Sequence, residues 1–212
     1  MAVLACALAL GVVASVATSL LHGWRPAPSP IPPPDAVDVG FARAMLQHHS
    51  QAVMLAQMMR DGRATGLDRL VRDIEATQLL ELGQMQGWLA LWRPPTATTP
   101  GMDWLLEAGI PLTPALSRYL LDCRRAATGM LGAPTTDELK RLQTLDGRPR
   151  DRLFLELMKR HHEGGLPMAR VAAAYAGSAA VRELADRIVI EQSREIALID
   201  RIRQVMAQMP AG

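Results

Sequence analysis

The sequence predicts an all-α fold: two repeated helical hairpins behind an N-terminal hydrophobic helix. Three observations carry this. Of 212 residues 49% are hydrophobic, yet aromatics reach only 4% and there are two Phe. The apolar content is therefore Ala, Leu, Val, Ile and Met, which favour helices over strands. Apolar positions recur at steps of three and four, and no stretch alternates convincingly as a strand would. A pattern of Asp, Phe, Met and paired His also occurs twice, 113 residues apart. The length allows a core that folds without disulfides. A net charge of +2, from 23 basic and 21 acidic residues, leaves no polyanion footprint, so no nucleic-acid partner is expected.

Residues 1–21 contain no charged side chain, and as a helix they span about 30 Å, enough to cross a bilayer. Trp24 and Arg25 suit the membrane interface. Residues 1–22 thus read either as a cleaved signal segment or as a transmembrane anchor. The missing basic start and the length favour the anchor. Both readings place the remainder outside the cytoplasm, tethered to the cell membrane or secreted. Residues 23–34 hold Pro26, Pro28, Pro30, Pro32, Pro33 and Pro34, a stiff extended linker. Beyond it Cys123 is the one cysteine, so no intramolecular disulfide is expected and a buried apolar role is.

Residues 35–209 make up the helical domain: repeat one 38–92, a connecting segment 93–150 and repeat two 151–208. In repeat one Asp38, Phe41, Met45, His48 and His49 lead through Ala52 and Ala56. Repeat two matches them with Asp151, Phe154, Met158, His161, His162, Gly165 and Ala169. A second block matches as well: Ile74, Gln78, Glu81 and Met85 against Ile188, Gln192, Glu195 and Ile199. Two His pairs with the same flanking residues indicate a duplicated unit. Within each first helix the matched positions share one face. Gly62 and Gly66 mark the first turn, Gly177 and Ser178 the second. Pro94 and Pro95 stop the first return helix. Thr113 and Pro114 read as an N-cap with proline at the first helical position. Thr135 and Glu138 form a capping box for a short helix to Leu145. Pro167 should kink the helix just beyond the second His pair. Asp38 and Asp151 are expected to cap the first helices.

Antiparallel geometry adds a prediction. Residues equally far from a turn lie at one height, which brings His49 level with about Gln78 and Met45 with Glu81 or Leu82. In the second hairpin His162 comes level with about Gln192, and Met158 with Glu195. Both hairpins should place Met, paired His, Gln and Glu in one layer.

These motifs resemble the domain-of-unknown-function 305 family of bacterial extracytoplasmic proteins. The resemblance rests on the doubled D-x2-F-x3-M-x2-HH, on the block from Ile74 to Leu89, on Gln192 to Ile196 and on the run His161 to Ala169. It implies a ferritin-like four-helix bundle, and the likeness of some members to periplasmic copper-binding proteins suggests metal handling. Ile199 stands where the family pattern expects Met, which implies a site poorer in sulfur.

Imidazole suits copper, zinc, iron or nickel, and thioether selects Cu(I). Copper, or another late transition metal, is therefore the candidate cargo, bound for buffering or resistance. The candidate ligands are His48, His49, His161 and His162, with Met45, Met158, Glu81 and Glu195 beside them. The carboxylates would ligate directly or fix the imidazole tautomers. The competing reading is a metal-free structural or interaction module of the cell envelope, whose buried His, Gln and Glu form a satisfied hydrogen-bonded layer. The other methionines read as core packing. Di-iron oxidase chemistry needs Glu-x2-His on two helices, and no such spacing occurs. No catalytic residue is assigned, and no enzymatic activity is expected.

Overall fold

The structure, a computed structural model, describes residues 33–95 and 101–208. The segment read as signal or anchor lies outside them, as does all but the end of the Pro-rich linker. Among the described residues every regular element is a helix, seven in all. None of these helices is long and apolar enough to cross a membrane.

Helix α1 (Ala36–Met59) starts at a capping box in which Asp35 and Asp38 bond each other's backbone amides. Residues 60–67 turn the chain into α2 (Asp68–Trp92). There Gly62 adopts φ +90°, a left-handed conformation that glycine adopts at least cost. Arg93, left-handed at φ 47°, ends α2 before the prolines. The connecting segment carries α3 (Trp104–Glu107), α4 (Pro114–Arg125) and α5 (Thr136–Thr144). Thr113 caps α4 and the Thr135–Glu138 capping box opens α5. Both caps follow the sequence prediction; the single turn of α3 is too short to show a period.

The second hairpin comprises α6 (Gly147–Tyr175) and α7 (Ala179–Gln208). Helix α6 runs through Pro167 without interruption. Helix α1 packs on α2 and on α6, and α6 packs on α7, whereas the backbones of α2 and α7 stay farther apart and share the core through side chains.

The buried hydrophobic residues fall into two clusters. One gathers Phe41, Met45, Leu82, Met85, Met168, Ala172, Leu184 and Ile188. The other gathers Leu55, Ala56, Ile74, Leu153, Phe154, Met158 and Ile199. Phe41 and Phe154 are fully buried, each worth about 2–3 kcal/mol. Between the clusters, on all four long helices, sits a polar layer.

Asp38 takes part in capping α1, as the motif spacing predicts, and Asp151 does not cap α6. Asp35 is the N-cap of α1, and Asp38 stands at the third helical position, with its carboxylate accepting from Asp35 N and from Ser178 N. Helix α6 begins at Gly147, so Asp151 lies inside it and caps nothing. Its carboxylate accepts from Thr65 Oγ1 at 2.6 Å and Gly66 N at 3.1 Å. Each repeat's aspartate therefore holds the other hairpin's turn.

A buried histidine layer

His48 and His49 sit at mid-length of α1, and His161 and His162 at mid-length of α6. All four are fully buried, as are Gln78 from α2 and Gln192 from α7. Because α1 and α6 run antiparallel, the two pairs meet head to head. The His48 and His161 rings stack with centroids 3.7 Å apart. His161 Nε2 lies 2.9 Å from the His48 carbonyl oxygen.

The outer member of each pair faces a carboxylate. His49 Nε2 lies 2.6 Å from Glu81 Oε2 in a hydrogen bond. His162 Nε2 is also 2.6 Å from Glu195 Oε2, but without hydrogen-bond geometry. His49 thus meets Glu81, one turn from the predicted level of Gln78, and His162 meets Glu195, three residues from Gln192. The layer is real; its register is shifted by about one helical turn.

Burial, reinforced by the neighbouring imidazoles, holds the pKa of His48 and of His161 well below the ordinary histidine value. The backbone at His161 and Leu131, close to the His48 ring but outside hydrogen-bond geometry, opposes this. Both rings are therefore neutral near pH 7, each with a lone pair to offer.

The methionines are placed differently. Met45 packs in the cluster with Met85, and Met158 in the cluster with Ile199. The layer separates them, so the structure does not bring the two thioethers to one site. His48, His49, His161, His162, Glu81 and Glu195 are brought together.

The packing role of several residues in this region escaped the sequence reading. Gly164 and Gly165 follow the second His pair, and a side chain at either would collide with its surroundings. A Cβ on Gly165 would lie 2.8 Å from His48 Cε1, and one on Gly164 would lie 2.2 Å from Leu131 O. The loop at Leu131 and Gly132 thus lies directly on α6, and the Tyr119 hydroxyl donates to Gly164 O at 3.0 Å. Adjacent glycines inside a long helix were the available signal, since glycine there costs about 1 kcal/mol unless something approaches closely.

The donor set suits a transition metal. Both nitrogens of His48 and of His162, and Nδ1 of His49 and His161, find no hydrogen-bond partner among the described residues. Neither amide atom of Gln192 finds one. Yet no three His, Cys, Asp or Glu side chains among those residues form a ready metal-holding group. The layer offers paired donors, His with Glu, rather than a finished cage.

The family model for the domain of unknown function DUF305 matches residues 38–203. The chain belongs to the DUF305 family. A DUF305 protein of Streptomyces coelicolor, designated secreted, shares the fold at a TM-score of 0.67 and 32% identity, covering 83% of this chain and 97% of that one. A DUF305 fragment from Deinococcus radiodurans follows at 0.60 and 28%, covering 84% and 100%. CopM, in the Cu(II)-bound form, is similar at 0.57 and 23%, covering 79% and 95%. No curated protein matches the chain by sequence. The DUF305 assignment agrees with the doubled His motif, which lies within the matched span.

Proposed function

We propose that the protein binds a late transition metal, copper foremost, at the paired-histidine layer and serves to buffer or sequester it. It does so outside the cytoplasm, held at the membrane by residues 1–22 or released by their removal. The observation that carries this is the set of six imidazole nitrogens, on four fully buried rings, that find no hydrogen-bond partner among the described residues. Leaving one buried polar atom unpaired costs about 1–3 kcal/mol, so a layer of them is expensive unless something binds there.

Two features fit a metal cargo. His48 and His161 are neutral, and each outer His already stands beside a carboxylate. Two donors on a tetrahedral ion, at bonds of about 2.0–2.2 Å, stand about 3.3–3.6 Å apart, so each His–Glu pair, now in contact at 2.6 Å, would open by about 1 Å to share one. Two protein donors per pair hold an ion loosely enough to exchange it, as buffering requires and catalysis at a fixed cofactor does not. The fold shared with CopM, which has a Cu(II)-bound form, supports the same reading, as does the secreted designation of the Streptomyces relative.

A second reading has its own observation. The His49–Glu81 and His161–His48 hydrogen bonds already join the midpoints of α1, α2 and α6, as a metal-free structural layer would. Titration of the purified protein with Cu(II) and Cu(I), beside His49→Ala/His162→Ala, separates the two. The metal reading expects binding that the double variant loses while remaining folded by circular dichroism. Absent binding in the parent protein, with a large stability loss in the variant, overturns it in favour of the structural layer.

A further inference from the structure

Exposure within the layer is confined to its carboxylates. The four imidazoles are sealed and the two glutamines nearly so, whereas the side chains of Glu81 and Glu195 are 8% and 20% exposed. The α1 and α6 sides are closed by helix packing, and the loop at Leu131 and Gly132 lies over α6. The layer's opening to solvent is thus at Glu81 of α2 and Glu195 of α7.

A third carboxylate stands at that opening. Glu191 precedes Glu195 by one turn of α7 and is partly buried. Burial, and then the charges of Glu81 and Glu195, push its carboxyl pKa up, against the pull of Arg187 and Arg194. Glu191 thus stands close enough to feel the charge of both layer carboxylates. Arg187 spans the gap by donating to Gln84 of α2 at 3.2 Å. Behind the carboxylates lie buried groups with unmet bonding capacity: His162 Nε2, which faces Glu195, and both amide atoms of Gln192.

The donors met on this route are oxygens first and imidazole nitrogens next. Met45 and Met158 are fully buried in separate apolar clusters and do not line it. Oxygen and imidazole donors suit divalent ions, while Cu(I) prefers sulfur. Fixed negative charge at a narrow opening raises the local cation concentration and the association rate.

Resting on the metal-binding reading above, we propose that Glu191, Glu81 and Glu195 form a carboxylate mouth between α2 and α7 that admits a divalent cation to His49 and His162, so that the site takes Cu(II)-type rather than Cu(I)-type cargo. Glu191 is the positioning residue here: it draws the cation in and does not hold it.

Stopped-flow binding of Cu(II) and Zn(II) to the full chain tests this, with Glu191→Gln against Glu183→Gln, an exposed acid on the same helix. Glu191→Gln should slow association about fivefold at low salt, with the gap closing at high salt and the urea midpoint unchanged. Glu183→Gln should leave the rate near that of the parent. Cu(I), presented in competition with a Cu(I) chelator, should bind more weakly than Cu(II). Equal rates for the two variants overturn the mouth, and so does tighter binding of Cu(I) than Cu(II); in both cases the metal-binding reading stands. Binding of neither ion overturns both.

Discussion

Gly164 is the position where one methyl group tests how the connecting segment sits on the histidine layer. A Cβ there would lie 2.2 Å from Leu131 O, 2.6 Å from its carbonyl carbon and 3.1 Å from Gly132 N. All three are backbone atoms, so no rotamer change relieves the contact. A relaxed C···O contact is about 3.3–3.6 Å, so the loop or α6 must move by about 1 Å. Overpacking of this kind costs about 1–3 kcal/mol. Moving the loop also strains the Tyr119 bond to Gly164 O, worth about 1 kcal/mol. Alanine recovers about 1 kcal/mol of helix propensity in return. The balance predicts that Gly164→Ala destabilises the protein by about 1–3 kcal/mol, or a Tm lower by about 3–10 °C for a chain of this size.

Gly83 on α2 supplies the opposite case, because a Cβ there would meet nothing within 4 Å. Gly83→Ala should stabilise by about 0.5–1 kcal/mol. Urea unfolding followed by circular dichroism reads both, with equal m-values required for the comparison. If Gly164→Ala raises the midpoint as Gly83→Ala does, the loop does not rest on α6 and the argument fails.

Two further outcomes are expected. Asp151→Ala removes the acceptors of Thr65 Oγ1 and Gly66 N and should cost about 1.5–3 kcal/mol. Asp38→Ala removes the acceptor of Ser178 N. Amide exchange should rise at Gly66 in the first variant and at Ser178 in the second, and a rise confined to each variant's own hairpin would contradict the crossed tethering. The pH dependence follows from His48 and His161, whose folded pKa values lie well below 6.5. The unfolded chain binds their protons first, so stability is complete above about pH 6.5 and falls as pH drops below it. The slope is up to about 1.4 kcal/mol per pH unit for each ring. Urea midpoints at pH 7, 6 and 5 should decline, less steeply in His48→Gln; a flat profile would show that the rings are not sealed.

Much of the fold was legible because it repeats. Two copies of one motif announce two copies of one hairpin, and Gly62, Gly66, Gly177 and Ser178 mark the turns where the helices end. Thr113 and Thr135 each name a helix start through a bond made within four residues. The histidine layer could be foreseen for the same reason, since chain distance from a turn fixes height along a hairpin. The one-turn shift could not. It depends on the actual centre of each turn, and a difference of one or two residues there moves the opposite helix by a full step.

The sequence by itself determined the helices, the duplication and the family, because periodicity, caps and motif spacing are local properties. Only the tertiary structure decided what the matched residues do. Asp38, besides capping α1, and Asp151, in place of capping α6, tie the two hairpins together, a role that exists only once the repeats lie antiparallel. Met45 and Met158 went to opposite sides of the layer, because antiparallel packing sends equivalent positions to opposite ends. That the exposed groups of the layer are Glu81 on α2 and Glu195 on α7 follows from which faces the helices leave uncovered. Burial and contact between distant segments set those features, and no local pattern encodes them.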